Sequence, residues 1–180
     1  MSQLTGLAPV SRPDARVLLL GSMPGAVSLA QQQYYGHPRN HFWSIMAELF
    51  GFEVALSYPE RLQALLNNQV ALWDVLQHCE RQGSLDSAIR HESPNDFAGF
   101  FQQHRQLQLI AFNGKKAEAS FRKLVLPTTA LPKACSLLAL PSSSPANAGM
   151  SRSVRLQAWR QLTTSSEQVE PLDNISRISE

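Results

Sequence analysis

At 180 residues and 20.0 kDa the chain has room for one domain with its own core and is short for two. Hydrophobic residues make up 43% and charged residues 17%, the balance of an ordinary globular protein, and no apolar run approaches the ~20 residues that cross a bilayer. A formal charge of +2 is too mild to announce a nucleic-acid partner, and two cysteines, Cys79 and Cys135, exclude a site built from four thiolates.

Met1 to Val10 lacks the basic start and apolar stretch of a signal peptide, so a cytoplasmic location with reduced thiols is expected. Arg16-Val-Leu-Leu-Leu-Gly-Ser22 is a continuous apolar run that stops at Gly-Ser-Met-Pro-Gly, the pattern of a strand buried on both faces and ending in a loop. Asn40–Phe50 carries Phe42, Ile45, Met46 and Leu49 on one helical stripe, and Pro59–Asn68 reads as a second helix. Val70–Trp73 is the next buried strand, followed by a helix over Asp96–Arg105, a strand over Leu107–Phe112 and a helix over Lys115–Val125. Ser136–Leu140 forms the fourth strand, and Arg152–Leu162 the last helix, marked by Val154, Leu156 and Trp159. Strands alternating with helices predict a three-layer αβα fold around a mainly parallel sheet of about four strands. Residues 1–164 read as one domain and 165–180 as a polar, mobile tail.

In such a sheet the ligand crevice lies beyond the carboxyl ends of the strands. Three unusual loops fall there: Gly21–Gly25, Asn113-Gly114 and Pro141–Asn147. Glycines let backbone amides approach a ligand closely, so the amides of Ser22 and Gly25 are candidate donors to a carbonyl. Asn113 offers a donor and an acceptor on one amide, although Asn-Gly is also a turn pair. Asn40 precedes a helical stripe and has the place of an N-cap. Asp74 and Asp86 could act electrostatically, or cap and turn. Arg39, Lys115, Lys116, Arg152 and Arg155 lie near these loops and are candidate phosphate contacts. No Gly-x-Ser-x-Gly elbow and no recognisable metal spacing is present, and no cofactor is expected.

Gly21-Ser-Met-Pro-Gly25, Tyr35-Gly-His37-Pro-Arg-Asn40 and Phe42-Trp43, with Pro141-Ser-Ser-Ser-Pro-Ala-Asn147 after the last strand, resemble the two motifs of the uracil-DNA glycosylase superfamily over roughly residues 15–160. The pattern is most similar to the hypoxanthine-DNA glycosylase branch and related to the mismatch-specific uracil glycosylases. The resemblance implies a monofunctional enzyme, expected as a monomer, that hydrolyses the N-glycosidic bond of a deaminated base flipped out of DNA, with hypoxanthine favoured and uracil or mismatched thymine as the alternative. It implies catalytic roles for Asn40 and His37, and base contacts from Ser22, Gly25, Tyr35 and Asn113. It also implies DNA contacts from Ser142, Ser143, Ser144, Pro145 and Asn147. Met23 stands where the mismatch-specific enzymes carry a water-positioning Asn, and Leu140 where relatives carry His or Asn. A thioether orients water poorly. A binding module that kept the fold without hydrolysis is the alternative in another class.

Overall fold

The structure, a computed structural model, describes residues 2–167. In chain order it contains β1 (Gln3–Thr5), β2 (Val17–Gly21), α1 (Ala26–Gln31), α2 (Phe42–Phe50), α3 (Tyr58–Asn67), β3 (Val70–Asp74), β4 (Leu76–Glu80), a 3-10 turn at Asp86–Ala88, β5 (Arg90–Pro94), α4 (Phe97–Gln103), β6 (Leu109–Asn113), α5 (Lys115–Leu124), β7 (Ser136–Leu140), α6 (Arg152–Trp159) and α7 (Gln161–Glu167). The four strands expected from apolar runs are β2, β3, β6 and β7. They form one parallel sheet in the order β3-β2-β6-β7.

Every residue of β2, β3 and β6 is buried, because helices cover both faces of the sheet. Strand alternation then splits the core in two. Leu18, Leu20, Ala71, Trp73, Ile110 and Phe112 meet Phe97, Phe100 and Phe101 of α4 and Phe121 of α5 on one face. Val17, Leu19, Val70, Leu72, Leu109 and Ala111 meet Phe42, Ile45 and Met46 of α2, Leu65 of α3 and Trp159 of α6 on the other. This is the three-layer α/β arrangement the alternation of elements predicts.

Two features depart from the sequence reading. A second, three-stranded antiparallel sheet, β1-β4-β5, adjoins the main one; its strands are short and half polar, so they lack the apolar run that marked the others. The segment expected as a tail from residue 165 begins inside α7, which runs to Glu167. Residues 168–180 of that segment lie outside the described residues. Among the described residues no helix is long and apolar enough to cross a membrane.

Candidate active site

β2, β3, β6 and β7 point their carboxyl ends the same way, so the loops after them converge. The Gly21–Gly25 loop runs beside the start of β4: Val75 N donates to Gly21 O at 2.9 Å and Leu76 N to Ser22 O at 3.1 Å. On its other side the 81–86 segment clamps it. Ser22 Oγ donates to Asp86 Oδ1 at 2.6 Å, Ala26 N donates to Ser84 Oγ, and the buried Arg81 bridges Gly83 O and Pro24 O. These bonds leave the Ser22 and Gly25 amides unclaimed among the described residues. Met23 is packed in the core at 6% exposure and does not line the cleft described below.

Gly21 is glycine because two polar side chains close on it. A Cβ there would collide with Asp74 Oδ1 and lie 3.2 Å from the Tyr35 hydroxyl. Asp74 is only 4% exposed, and its Oδ2 has no hydrogen-bond partner among the described residues. Burial, reinforced by the nearby Asp86 carboxylate and only partly opposed by Arg81, pushes its carboxyl up to about 7. The Tyr35 hydroxyl is likewise buried and without a partner among the described residues. Burial and the Asp74 charge raise it well above the ordinary phenol value, and the adjacent Asn113 amide acts in the opposite direction without an aligned bond. Tyr35 sits in the left-handed region, φ 54°, an uncommon conformation for an aromatic residue that recurs at functional sites. Phe42 backs one face of its ring at 3.8 Å between centroids and 21° between planes. The ring also lines an open cleft of about 900 Å³.

That cleft separates the first motif from the second. His37, Asn40 and His41 form one side, Pro145, Asn147 and Met150 another, with Arg39, Arg61, Arg152 and Arg155 around it. Among the described residues, no carboxylate and no lysine lines it. One backbone bond, His41 N to Ser143 O at 3.0 Å, ties the two motifs together. Asn40 stands one residue before the N-cap of α2, which is His41, so it does not take the N-cap place expected for it; its Oδ1 accepts from Phe42 N at 2.9 Å, while its NH2 has no partner among the described residues. His37 Nδ1 accepts from Arg39 N. His41, a residue sequence reasoning passed over, is held below the ordinary histidine value by burial and by Arg155 and Arg152.

Several expected contacts are placed elsewhere. Asn113 is buried, and both ends of its amide are engaged by Ser143: Nδ2 donates to Ser143 Oγ and Oδ1 accepts from Ser143 N, each at 2.9 Å. Ser143, 1% exposed, therefore faces the interior and not a phosphate. Ser142 Oγ accepts from Ser144 N and Ser144 Oγ from Ala146 N, so these hydroxyls shape the loop. Pro145 and Asn147 reach the cleft. Arg155 is 2% exposed and anchors the loop from below, donating from Nε to Ser142 O and from Nη2 to Asn147 O. Lys116 pairs with Glu92 and Arg152 with Glu48. Arg61, absent from the candidates, lies 4.6 Å above the Trp43 ring, and nothing in its helical context marks it. Asp74 did have a signal: it is the one polar residue in Val70–Leu76.

The chain is thus a three-layer α/β domain whose parallel strands end at a cleft lined, among the described residues, by arginines and by no carboxylate. The family model of the uracil DNA glycosylase superfamily matches residues 8–163, and the chain belongs to that superfamily. Two relatives are named hypoxanthine DNA glycosylase. The one from Methanosarcina acetivorans is 37% identical over 158 residues, 86% of this chain and 94% of that protein. The one from Methanosarcina barkeri is 40% identical over 113 residues, 62% and 72% of the two chains. A solution NMR structure from M. acetivorans, described as a candidate uracil DNA glycosylase, superposes with a TM-score of 0.72 at 34% identity, covering 90% of this chain and 99% of that one.

Proposed function

We propose that the chain is a monofunctional DNA glycosylase that hydrolyses the N-glycosidic bond of hypoxanthine, extruded from DNA, and so opens base-excision repair. The observation that carries this is the cleft: two loops at the carboxyl end of the sheet face each other across a wall that holds Arg39, Arg61 and the Glu48-paired Arg152, with Arg155 anchoring the second loop beneath it, and Tyr35 lines the same cleft. Arginines neutralise backbone phosphates, and a flipped base needs an aromatic surface and fixed polar partners. Tyr35, stiffened by Phe42, supplies the surface. Such stacking contributes about 1–3 kcal/mol per base.

Departure of the base leaves positive charge on the sugar and negative charge on the heterocycle. The Ser22 and Gly25 amides can receive the latter, and preorganised donors of this kind are worth roughly 2.7–4 kcal/mol each where measured. With Met23 buried, Asn40 is the amide best placed in the cleft wall to orient water through its unengaged NH2 group. His37 and His41 flank it as donors to phosphate. Among the described residues no lysine lines the cleft, which fits simple hydrolysis better than imine formation. The reading takes the working unit as a cytoplasmic monomer that uses no metal or cofactor.

Single-turnover incubation with duplexes containing deoxyinosine or deoxyuridine, followed by alkali, tests it. Strand cleavage at deoxyinosine, faster than at deoxyuridine and reduced at least tenfold by Asn40→Ala, is expected. Cleavage at neither lesion would overturn the glycosylase reading.

A further inference from the structure

The four arginines at the cleft differ in what surrounds their charge. Arg152 is paired with Glu48, and Arg155 donates to Ser142 O and Asn147 O. The guanidinium groups of Arg39 and Arg61 have no hydrogen bond or ion pair among the described residues. Arg39 is exposed in a turn, whereas Arg61, half-buried on α3, is held in place. Its Cζ lies 4.6 Å from the centroid of the Trp43 ring and 5.8 Å from that of Tyr58, and its Nε is buried without an acceptor among the described residues. Both rings are fixed in turn: Trp43 Nε1 donates to Tyr34 O at 3.1 Å, and the Tyr58 hydroxyl accepts from Tyr34 N at 2.9 Å. The adjacent carboxylate, Glu60, is committed elsewhere, accepting from Ser57 N and Ser57 Oγ in the capping box of α3. Burial pulls the Arg61 guanidinium below its ordinary value, the direction expected of a cation that has lost water without gaining an anion.

We infer that Arg61 is a preformed phosphate site that grips the DNA strand carrying the lesion, beside the extruded nucleotide. The inference rests on the glycosylase reading and adds a DNA contact outside both sequence motifs. Position supports it. Tyr35, the surface offered to the base, stacks on Phe42 at 3.8 Å between centroids, Phe42 meets Trp43 at 4.9 Å, and Arg61 lies over Trp43. The cation thus stands at the end of a continuous row of rings that begins at the base platform, and Tyr35, Trp43 and Arg61 line one cleft. Chemistry selects a phosphate. With one face of the guanidinium on the indole and Nε sealed, the two Nη groups are the donors left to a ligand. Paired N–H donors match the two free oxygens of a phosphodiester, whereas the edge of a base offers neutral acceptors that leave the charge uncompensated. The Trp43 face keeps the fork oriented, so little side-chain freedom is lost when the strand arrives.

The test measures binding of a duplex carrying 2′-fluoro-2′-deoxyinosine, which resists hydrolysis, by fluorescence anisotropy from about 50 to 200 mM salt for the wild type, Arg61→Met and Arg61→Lys. Methionine keeps an unbranched apolar side chain against Trp43 and drops the charge; lysine keeps the charge. Arg61→Met should bind about tenfold more weakly at the low-salt end, with the slope of log affinity against log salt shallower by about 0.9, the share of one phosphate. Arg61→Lys should recover that slope, and unmodified duplex should weaken alongside the lesion duplex within about threefold. Methylphosphonate linkages, which remove one phosphate charge at a time, locate the contact: at a position within about two nucleotides of the lesion, the substitution should weaken the wild type about tenfold and Arg61→Met less than about twofold. An unchanged slope in Arg61→Met, or methylphosphonate losses equal in the two proteins at every position of the lesion strand, overturns the inference and leaves Arg61 as a brace for Trp43. Loss of lesion preference with the slope intact also overturns it and makes Arg61 a base contact. The expected salt and phosphate effects, with no hypoxanthine released from a deoxyinosine duplex, would overturn the glycosylase reading instead and leave the inference standing.

Discussion

Replacing Asn113 with Ala should unfold the protein more readily while leaving the cleft chemically complete. Asn113 closes β6 and holds Ser143, thirty residues later, by two hydrogen bonds of 2.9 Å. Asn113 is 9% and Ser143 1% exposed, so water does not replace the lost partner. Alanine leaves the Ser143 amide and hydroxyl unsatisfied, at about 1–3 kcal/mol each, so the expected loss is roughly 2–6 kcal/mol. For a domain of this size each kcal/mol lowers Tm by about 2–4 °C, which predicts a fall of roughly 4–24 °C. Thermal and urea unfolding followed by tryptophan fluorescence measure it. Asn113→Asp should lose less, because its carboxylate accepts from both the Ser143 amide and the rotated hydroxyl. An Asn113→Ala protein that melts within about 1 kcal/mol of the wild type but no longer recognises a lesion would refute this reasoning, and would return Asn113 to the base.

Three further outcomes follow from the geometry. Gly21→Ala places a methyl group against Asp74 Oδ1 and near the Tyr35 hydroxyl; overpacking of this kind should lower the unfolding free energy by about 1–3 kcal/mol in a urea titration, and an unchanged midpoint would contradict the close packing. Asp74, with its folded value raised to about 7, favours the folded state below its unfolded value near 3.8 and loses that advantage as pH rises through 7. Urea unfolding of Asp74→Asn should therefore gain up to ~4 kcal/mol on the wild type between about pH 4 and 8, and a constant difference would contradict the burial argument. Arg155→Met removes the donors that hold Ser142 O and Asn147 O and should cost about 3–5 kcal/mol, with the 141–150 loop becoming the first site of limited proteolysis.

The main sheet is legible in the sequence because it is covered on both sides: Val17–Gly21 and Leu109–Asn113 have no exposed face and read as unbroken apolar runs. The antiparallel sheet is not. β5, Arg-His-Glu-Ser-Pro, is mostly polar and half exposed, and its pairing with β4 has register shifts that no local pattern announces. The position of the site is legible for the same reason as the sheet, since loops at the carboxyl ends of parallel strands must converge. Which side chains of a loop turn outward is a different matter. Ser143 and Ser144 are identical neighbours in sequence, yet the first is buried against Asn113 and the second braces the loop tip, because a partner thirty residues away decides. Asp74 shows the limit from the other side. An acidic residue after a strand suggests a cap, and only the three-dimensional absence of any donor shows an unpartnered buried acid.

The most direct test of the central claim is chemical identification of the product released from a deoxyinosine duplex under single turnover. Liquid chromatography with mass detection should find free hypoxanthine equal to the abasic sites left in an otherwise unbroken strand. Tight, lesion-selective binding with no free base released would contradict the account and make the chain a binding module on a glycosylase fold.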